Sequence, residues 1–135
     1  MVGRNVHGSW TMSFEDRILK TKVTGATNAE AAKIWLLEAK ELVLSSSEAD
    51  STPWGVLNDC REWGTSGLDD WESHNQTVDW LTRHNCVIFA LVLASKIQHY
   101  SVEHGFVNQS IVNIFSDYDE AYQACLNKLS DLNGG

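Results

Sequence analysis

Polar and apolar residues alternate strictly from Gly8 to Glu15, with Trp10, Met12 and Phe14 on one face and Ser9, Thr11 and Ser13 on the other. Period-two alternation of this kind predicts a strand with one wet side. The polar corner Glu15-Asp16-Arg17 leads into Ile18–Thr24, where Leu19 and Val23 alternate with Lys20 and Lys22. The two segments are expected to form an antiparallel hairpin at the sheet edge, where lysines discourage edge pairing. After Gly25 the period changes. Thr27 and Glu30 have the spacing of a capping box, and Ala32, Trp35, Leu36, Ala39, Leu42 and Val43 follow at helical intervals.

The serine-rich break before Pro53 opens the stretch on which the chain is organised, PWGVLNDCREWGTSGLDDW from Pro53 to Trp71. It reads as a short buried strand over Trp54–Leu57, a polar loop from Asn58 and Asp59, and a helix beginning near Thr65 or Ser66. That helix runs to about His84, with Trp71, His74, Val78 and Leu81 as its apolar face. Cys86–Ala94 (CVIFALVLA) has no polar alternation, the pattern of a strand covered on both faces. Ser95 and Gln98 form a further capping box, opening a short helix with Ile97, Tyr100 and Ser101 on one side and Gly105 at its end. Ile111–Phe115 reads as a last strand. Ser116 or Asp117 then caps a helix that turns Tyr118, Ala121, Tyr122, Cys125 and Leu129 inward. The predicted order is β-β-α-β-α-β-α-β-α, an α/β fold with a mixed, mostly parallel sheet, an N-terminal β-hairpin and about four helices. At 135 residues it is expected to be a single domain spanning 1–135.

Composition narrows the function classes. A 43% hydrophobic and 21% charged chain is ordinary for a globular protein. No apolar run approaches the roughly 18 residues of a membrane span, and no signal-like apolar segment follows the N-terminus, so a cytoplasmic protein is expected. Ten Lys and Arg against 18 Asp and Glu give a formal charge of -8. That charge repels phosphate backbones and argues against nucleic-acid binding. Three widely spaced cysteines, Cys60, Cys86 and Cys125, form no CxxC pair and predict neither a disulfide framework nor a zinc site. No cofactor motif occurs.

The element order, together with VLND followed by GTSGL and with IFSDYDEAYQACL, resembles the SpoIIAA-like (STAS-type) family of anti-sigma-factor antagonists. The Trp-rich version here, WGVLNDCREW, is most similar to uncharacterised bacterial SpoIIAA-like proteins. The resemblance implies the fold, a non-catalytic regulatory role and a phosphoacceptor position at the second helix start. Where the family has its Asp this chain has Gly64, so that position falls on Thr65 or Ser66.

Ligands of parallel sheets sit at the carboxyl ends of the strands. That rim is expected to gather Asp59, Arg61, Trp63, Thr65, Ser66, Asp70 and Trp71 with Ser95 and Lys96, and to involve Trp80 further along the same helix. Free N–H groups at the helix start favour an anion there, with Arg61 and Lys96 adding charge, while Asp69 and Asp70 oppose it. Caps and turns also account for each of these residues separately. Asp59, Asp70 and His74 would be the members of an enzyme site, since Asp70 and His74 are four apart on one helix. Cys60, beside Arg61, is a position where a thiol pKa could fall. The six tryptophans are the main surplus. Trp63 in a loop and Trp80 off the apolar stripe suit either contact with another chain, a protein partner or a second copy, or the wall of a small apolar pocket. Two readings stand: a binding or regulatory module acting by protein contact, and a carrier of a small apolar or amphipathic ligand. The first predicts an exposed patch holding Trp63 or Trp80, and the second a closed cavity of roughly a few hundred cubic ångströms.

Overall fold

The structure is a computed structural model that describes residues 7–45, 52–64 and 68–133. Its elements are β1 (Ser9–Glu15), β2 (Ile18–Gly25), α1 (Ala29–Leu44), β3 (Trp54–Trp63), α2 (Leu68–Arg83), β4 (Cys86–Val92), α3 (Lys96–Gly105), β5 (Val112–Phe115) and α4 (Tyr118–Asn133). This is the predicted order. The strands lie in one sheet in the sequence β1-β2-β3-β4-β5, antiparallel between β1 and β2 and parallel elsewhere.

That order decides the layers. Each crossover from β2 onward moves one strand in the same direction, and right-handed crossovers then put α1, α2 and α3 on one face. Accordingly, Trp35 and Val43 of α1, Val78 and Leu81 of α2 and Val102 of α3 share one core with that face of the sheet. Helix α4 follows the edge strand β5 and covers the other face. Its Ala121, Cys125 and Leu129 pack on Leu57, Ile88, Ala90 and Val92, the inward set expected for it. Strand β4, buried on both sides, is the doubly covered strand that CVIFALVLA predicted.

The hairpin turns at Asp16 and Arg17, both in the left-handed region at φ 54 and 61. This pair suits a two-residue turn whose twist matches the strands. The Arg17 guanidinium donates to the Pro53 carbonyl at 2.8 Å and so ties the turn to the start of β3. β1 is indeed an edge strand, but Lys20 and Lys22 are on β2, one strand in. Lys22 bonds Glu62 at 2.8 Å and Lys20 lies over the Tyr122 ring, so neither guards the edge.

Three further sequence expectations change. The cap of α1 is Asn28, whose side chain accepts from the Ala31 N–H at 3.0 Å. The Thr27 hydroxyl accepts instead from Trp63 Nε1. Second, the expected loop after Leu57 is strand, because β3 continues for ten residues to Trp63. Its polar members are bonded in place: Thr21 Oγ1 donates to Asn58 Oδ1, and Asp59 grips Arg61. Third, Trp63 and Trp80 are buried, so neither belongs to an exposed patch.

A one-residue bulge makes the end of β3 work. The β2 partners step from Lys22↔Asp59 to Thr24↔Glu62, leaving one extra residue on β3. Cys60 and Trp63 therefore face the same core although three apart. The last β3–β4 pair is Asp59↔Val92, so beyond it β3 has no strand beside it on that side. Gln98 takes the place of that strand. Its Nε2 donates to the carbonyls of Cys60 at 2.9 Å and Trp63 at 2.7 Å, and its Oε1 accepts from Ala94 N at 2.6 Å and Ser95 N at 3.1 Å. The predicted Ser95–Gln98 capping box is present, and the same glutamine also closes the sheet.

Because removing a buried amide leaves its partners unsatisfied, Gln98→Ala should cost about 2–3 kcal/mol of stability. Urea denaturation would measure this; a loss no larger than that of an exposed glutamine would contradict it.

Candidate functional site: a divided rim and an aromatic cavity

The predicted rim residues do not form one site, because the sheet runs between them. Asp59 and Arg61 face α4. Arg61 holds Asp59 through two bonds, Nε to Oδ1 at 2.9 Å and Nη2 to Oδ2 at 2.7 Å, and its guanidinium lies over the Tyr118 ring. They border an open hollow of about 420 Å³ with Lys20, Lys22, Thr11 and Tyr118. Hydrogen bonding to Arg61 holds the Asp59 carboxyl below the usual range, against the opposing effect of burial. Cys60 points the other way, into the core, and burial pushes its thiol up rather than down. Cys86 and Cys125 are likewise raised by burial, to about 12 and about 11, so all three cysteines are poor nucleophiles.

Trp63 and Trp71 are on the opposite face, with His74. Asp59 and His74 are thus separated by the sheet, and the Asp59–Asp70–His74 constellation is not assembled. Ser95 and Lys96 are exposed at the start of α3, Ser95 serving as its cap. Trp80 packs edge-on to Trp54 at 6.4 Å and stacks on His84 at 4.2 Å, and it does not line the cavity around Trp63. Thr65 and Ser66 lie outside the described residues, as does the side chain of Asp70.

The six indoles all belong to the core on the α1–α3 face. Trp10, Trp35, Trp63 and Trp71, with His74 and Phe106, line a cavity of about 60 Å³ there. Its walls are set by packing that the sequence pattern did not reveal. A methyl group on Gly105 would come within 2.3 Å of the Trp71 ring, so only glycine lets that ring lie against the end of α3. Asn75 binds the same junction, donating to the carbonyls of Trp71 at 2.9 Å and Gly105 at 3.0 Å and accepting from Val107 N at 2.8 Å. Phe106 meets Trp71 edge-on at 4.9 Å. Trp35, expected only as part of the α1 stripe, is 7% exposed, and its Nε1 is buried without a hydrogen-bond partner among the described residues. The cavity is well below the few hundred cubic ångströms expected of a closed carrier.

No family model and no curated protein matches this chain. Solved structures do. An anti-sigma factor antagonist from Mycobacterium paratuberculosis superposes with a TM-score of 0.58 at 14% identity, over 88% of this chain and 94% of that one. An uncharacterised protein of the DUF3478 family from Shewanella loihica PV-4, described as having a SpoIIAA-like fold, gives 0.60 at 11% identity over 93% and 98%. The fold is SpoIIAA-like.

Packing around Gly64 excludes a side chain there. A Cβ there would meet Ala26 N at 2.9 Å, and Gly64 N already donates to the Gly25 carbonyl at 3.0 Å. The β2–α1 connection occupies the space a side chain would need. Gly64→Asp should therefore destabilise the protein by about 1–3 kcal/mol, measured by thermal or urea unfolding; a neutral result would mean that this loop gives way freely.

A carboxylate with a lower pKa folded than unfolded adds stability above its unfolded value and loses it as pH falls through the folded one. The stability gap between the wild type and Asp59→Asn should accordingly be largest near neutrality and shrink between about pH 5 and about pH 2. A gap independent of pH would show that the Arg61 pairing stabilises nothing through its charge.

Proposed function

We propose that this SpoIIAA-like chain is a non-catalytic regulatory module that works by contact with another protein, through the outer face of α3. The observation that carries the reading is the set of large apolar side chains held out of the core there. Ile97 is 72% exposed, Tyr100 65% and Val107, just past the helix, 89%. Exposed apolar groups gathered beside a binding rim are the usual mark of a partner surface. The face adjoins Ser95 and Lys96, while Trp63 and Trp80 take no part in it. A net charge of -8 makes two copies repel, so a different protein with a basic surround fits better than a second copy. The separation of Asp59 from His74 supports a role without catalysis, and the antagonist among the structural neighbours supports the regulatory one. A cytoplasmic setting goes with this reading, supported by three buried free thiols.

A second reading, that the chain holds a small apolar ligand, is favoured by the aromatic cavity, whose wall is mostly ring carbon and aliphatic side chain.

The contact reading is tested by recovering partners from the native host with the wild type and with Ile97→Ser/Tyr100→Ser. Both positions are exposed, so stability should change by no more than about 0.5 kcal/mol per site. A stoichiometric partner retained by the wild type and lost by the variant is the expected result. Equal recovery by both proteins would remove α3 from the interface.

A further inference from the structure

Strand β1 is a sheet edge without the usual protection. It is seven residues long, pairs with β2 without a register shift, and contains no proline, lysine or arginine. The opposite edge strand, β5, has only four residues. Among the described residues no strand lies beyond β1, and every second residue of an antiparallel strand directs its N–H and C=O away from its neighbour. The core face of β1 is unfinished as well. Trp10, Met12 and Phe14 pack against the core but are only partly buried. Trp10 is held in place by Nε1 donating to Glu38 at 2.5 Å, and Phe14 by edge-on contact with Trp54 at 6.0 Å. Backbone groups open to pairing, beside half-covered apolar side chains, form a template for another strand.

The sequence of β1 matches itself. An antiparallel alignment of two copies centred on Met12 pairs all seven residues and keeps the apolar face continuous. Met12 then lies opposite Met12, Trp10 opposite Phe14 twice, Thr11 opposite Ser13 twice, and Glu15 opposite Ser9 at each end. The aromatic pairs stabilise the join, and the two Glu15 carboxylates, the only charges in the strand, sit at opposite ends. A parallel alignment in register would set those carboxylates side by side. We infer that β1 is a self-association edge, at which two copies pair antiparallel about Met12 into one continuous sheet with two-fold symmetry. The net charge of -8 opposes any second copy. At β1 a row of directional backbone bonds works against that repulsion, whereas the outer face of α3 offers side chains alone. The inference goes beyond the proposed function: α3 joins β4 to β5 at the other end of the sheet, so a dimer would present the α3 face twice.

An interface along one strand is small, so sedimentation of the full chain is followed from about 5 to about 500 μM. The wild type should pass from monomer to dimer over this range, and the dimer should tighten as salt screens the repulsion. Thr11→Glu/Ser13→Glu separates the edge from the fold. Within the chain the new carboxylates lie opposite Lys22 and Lys20 of β2, while across the edge each faces another carboxylate. The variant should fold as stably as the wild type in dilute solution and associate at least about tenfold more weakly. Register is read by cross-linking. Met12→Cys should form an interchain disulfide on mild oxidation, because the two residues face each other; Ser9→Cys, about 20 Å from its counterpart, should not. A wild type that stays monomeric throughout overturns the inference. So does undiminished association of the double variant, or a Met12→Cys protein that cross-links no better than Ser9→Cys. Sedimentation of the wild type and the cross-link do not need the double variant, so the test stands even if that protein fails to fold.

Discussion

Strand β3 outruns its neighbour β4, and the amide of Gln98 completes the hydrogen bonding that β4 leaves undone. Much of the functional end of the molecule follows from that substitution. An amide can present a donor to two strand carbonyls and an acceptor to two N–H groups only if its helix is rolled to point it inward. With Gln98 and Val102 inward, Ile97 and Tyr100 have to face solvent. The buried polar residue thus decides which apolar residues are exposed, the reverse of what hydropathy alone would arrange. The same bonds hold Trp63 against the core, where it becomes one wall of the aromatic cavity.

The sheet imposes the second constraint. It divides the rim into a polar side, with Asp59, Arg61 and the β2 lysines under the N-terminal end of α4, and an aromatic side under α1, α2 and α3. Apart from the bulge, residues adjacent in sequence on β3 alternate between these sides, so NDCREW supplies both without joining them. The ionic groups satisfy one another at the surface, and the indoles gather on the other face. An anion site assembled from both sets would need side chains to pass through the sheet.

The SpoIIAA-like likeness is one of architecture, carried at identities of 14% and 11%. Gly64 is a position where the packing of this chain excludes a side chain. The tight approach of Ala26 leaves no volume there for an aspartate. The six tryptophans belong to the core of the α1–α3 layer, and Trp10, Trp35, Trp63 and Trp71 line a small cavity at its end.

The amino-acid sequence by itself determined the element order, the hairpin at the sheet edge, the doubly covered β4, the inward face of α4 and the Ser95–Gln98 cap. Each of these rests on a periodicity or a cap between residues close in the chain, which a linear reading captures. Only the tertiary structure decided the length of β3, since Asn58, Asp59 and Glu62 look like loop residues until their partners Thr21, Arg61 and Lys22 are beside or across from them. It also decided the bulge that turns Trp63 inward, the burial of Trp80, and the close approach of Gly105 to Trp71. Of the candidate site, the sequence named residues for a single rim and pointed to the tryptophans. It could not divide the residues between two faces, because face depends on register, and register on contacts far apart in the chain. The Trp35 N–H, buried without a partner among the described residues, belongs to the same class, because pairing of a buried group depends on neighbours far apart in the chain.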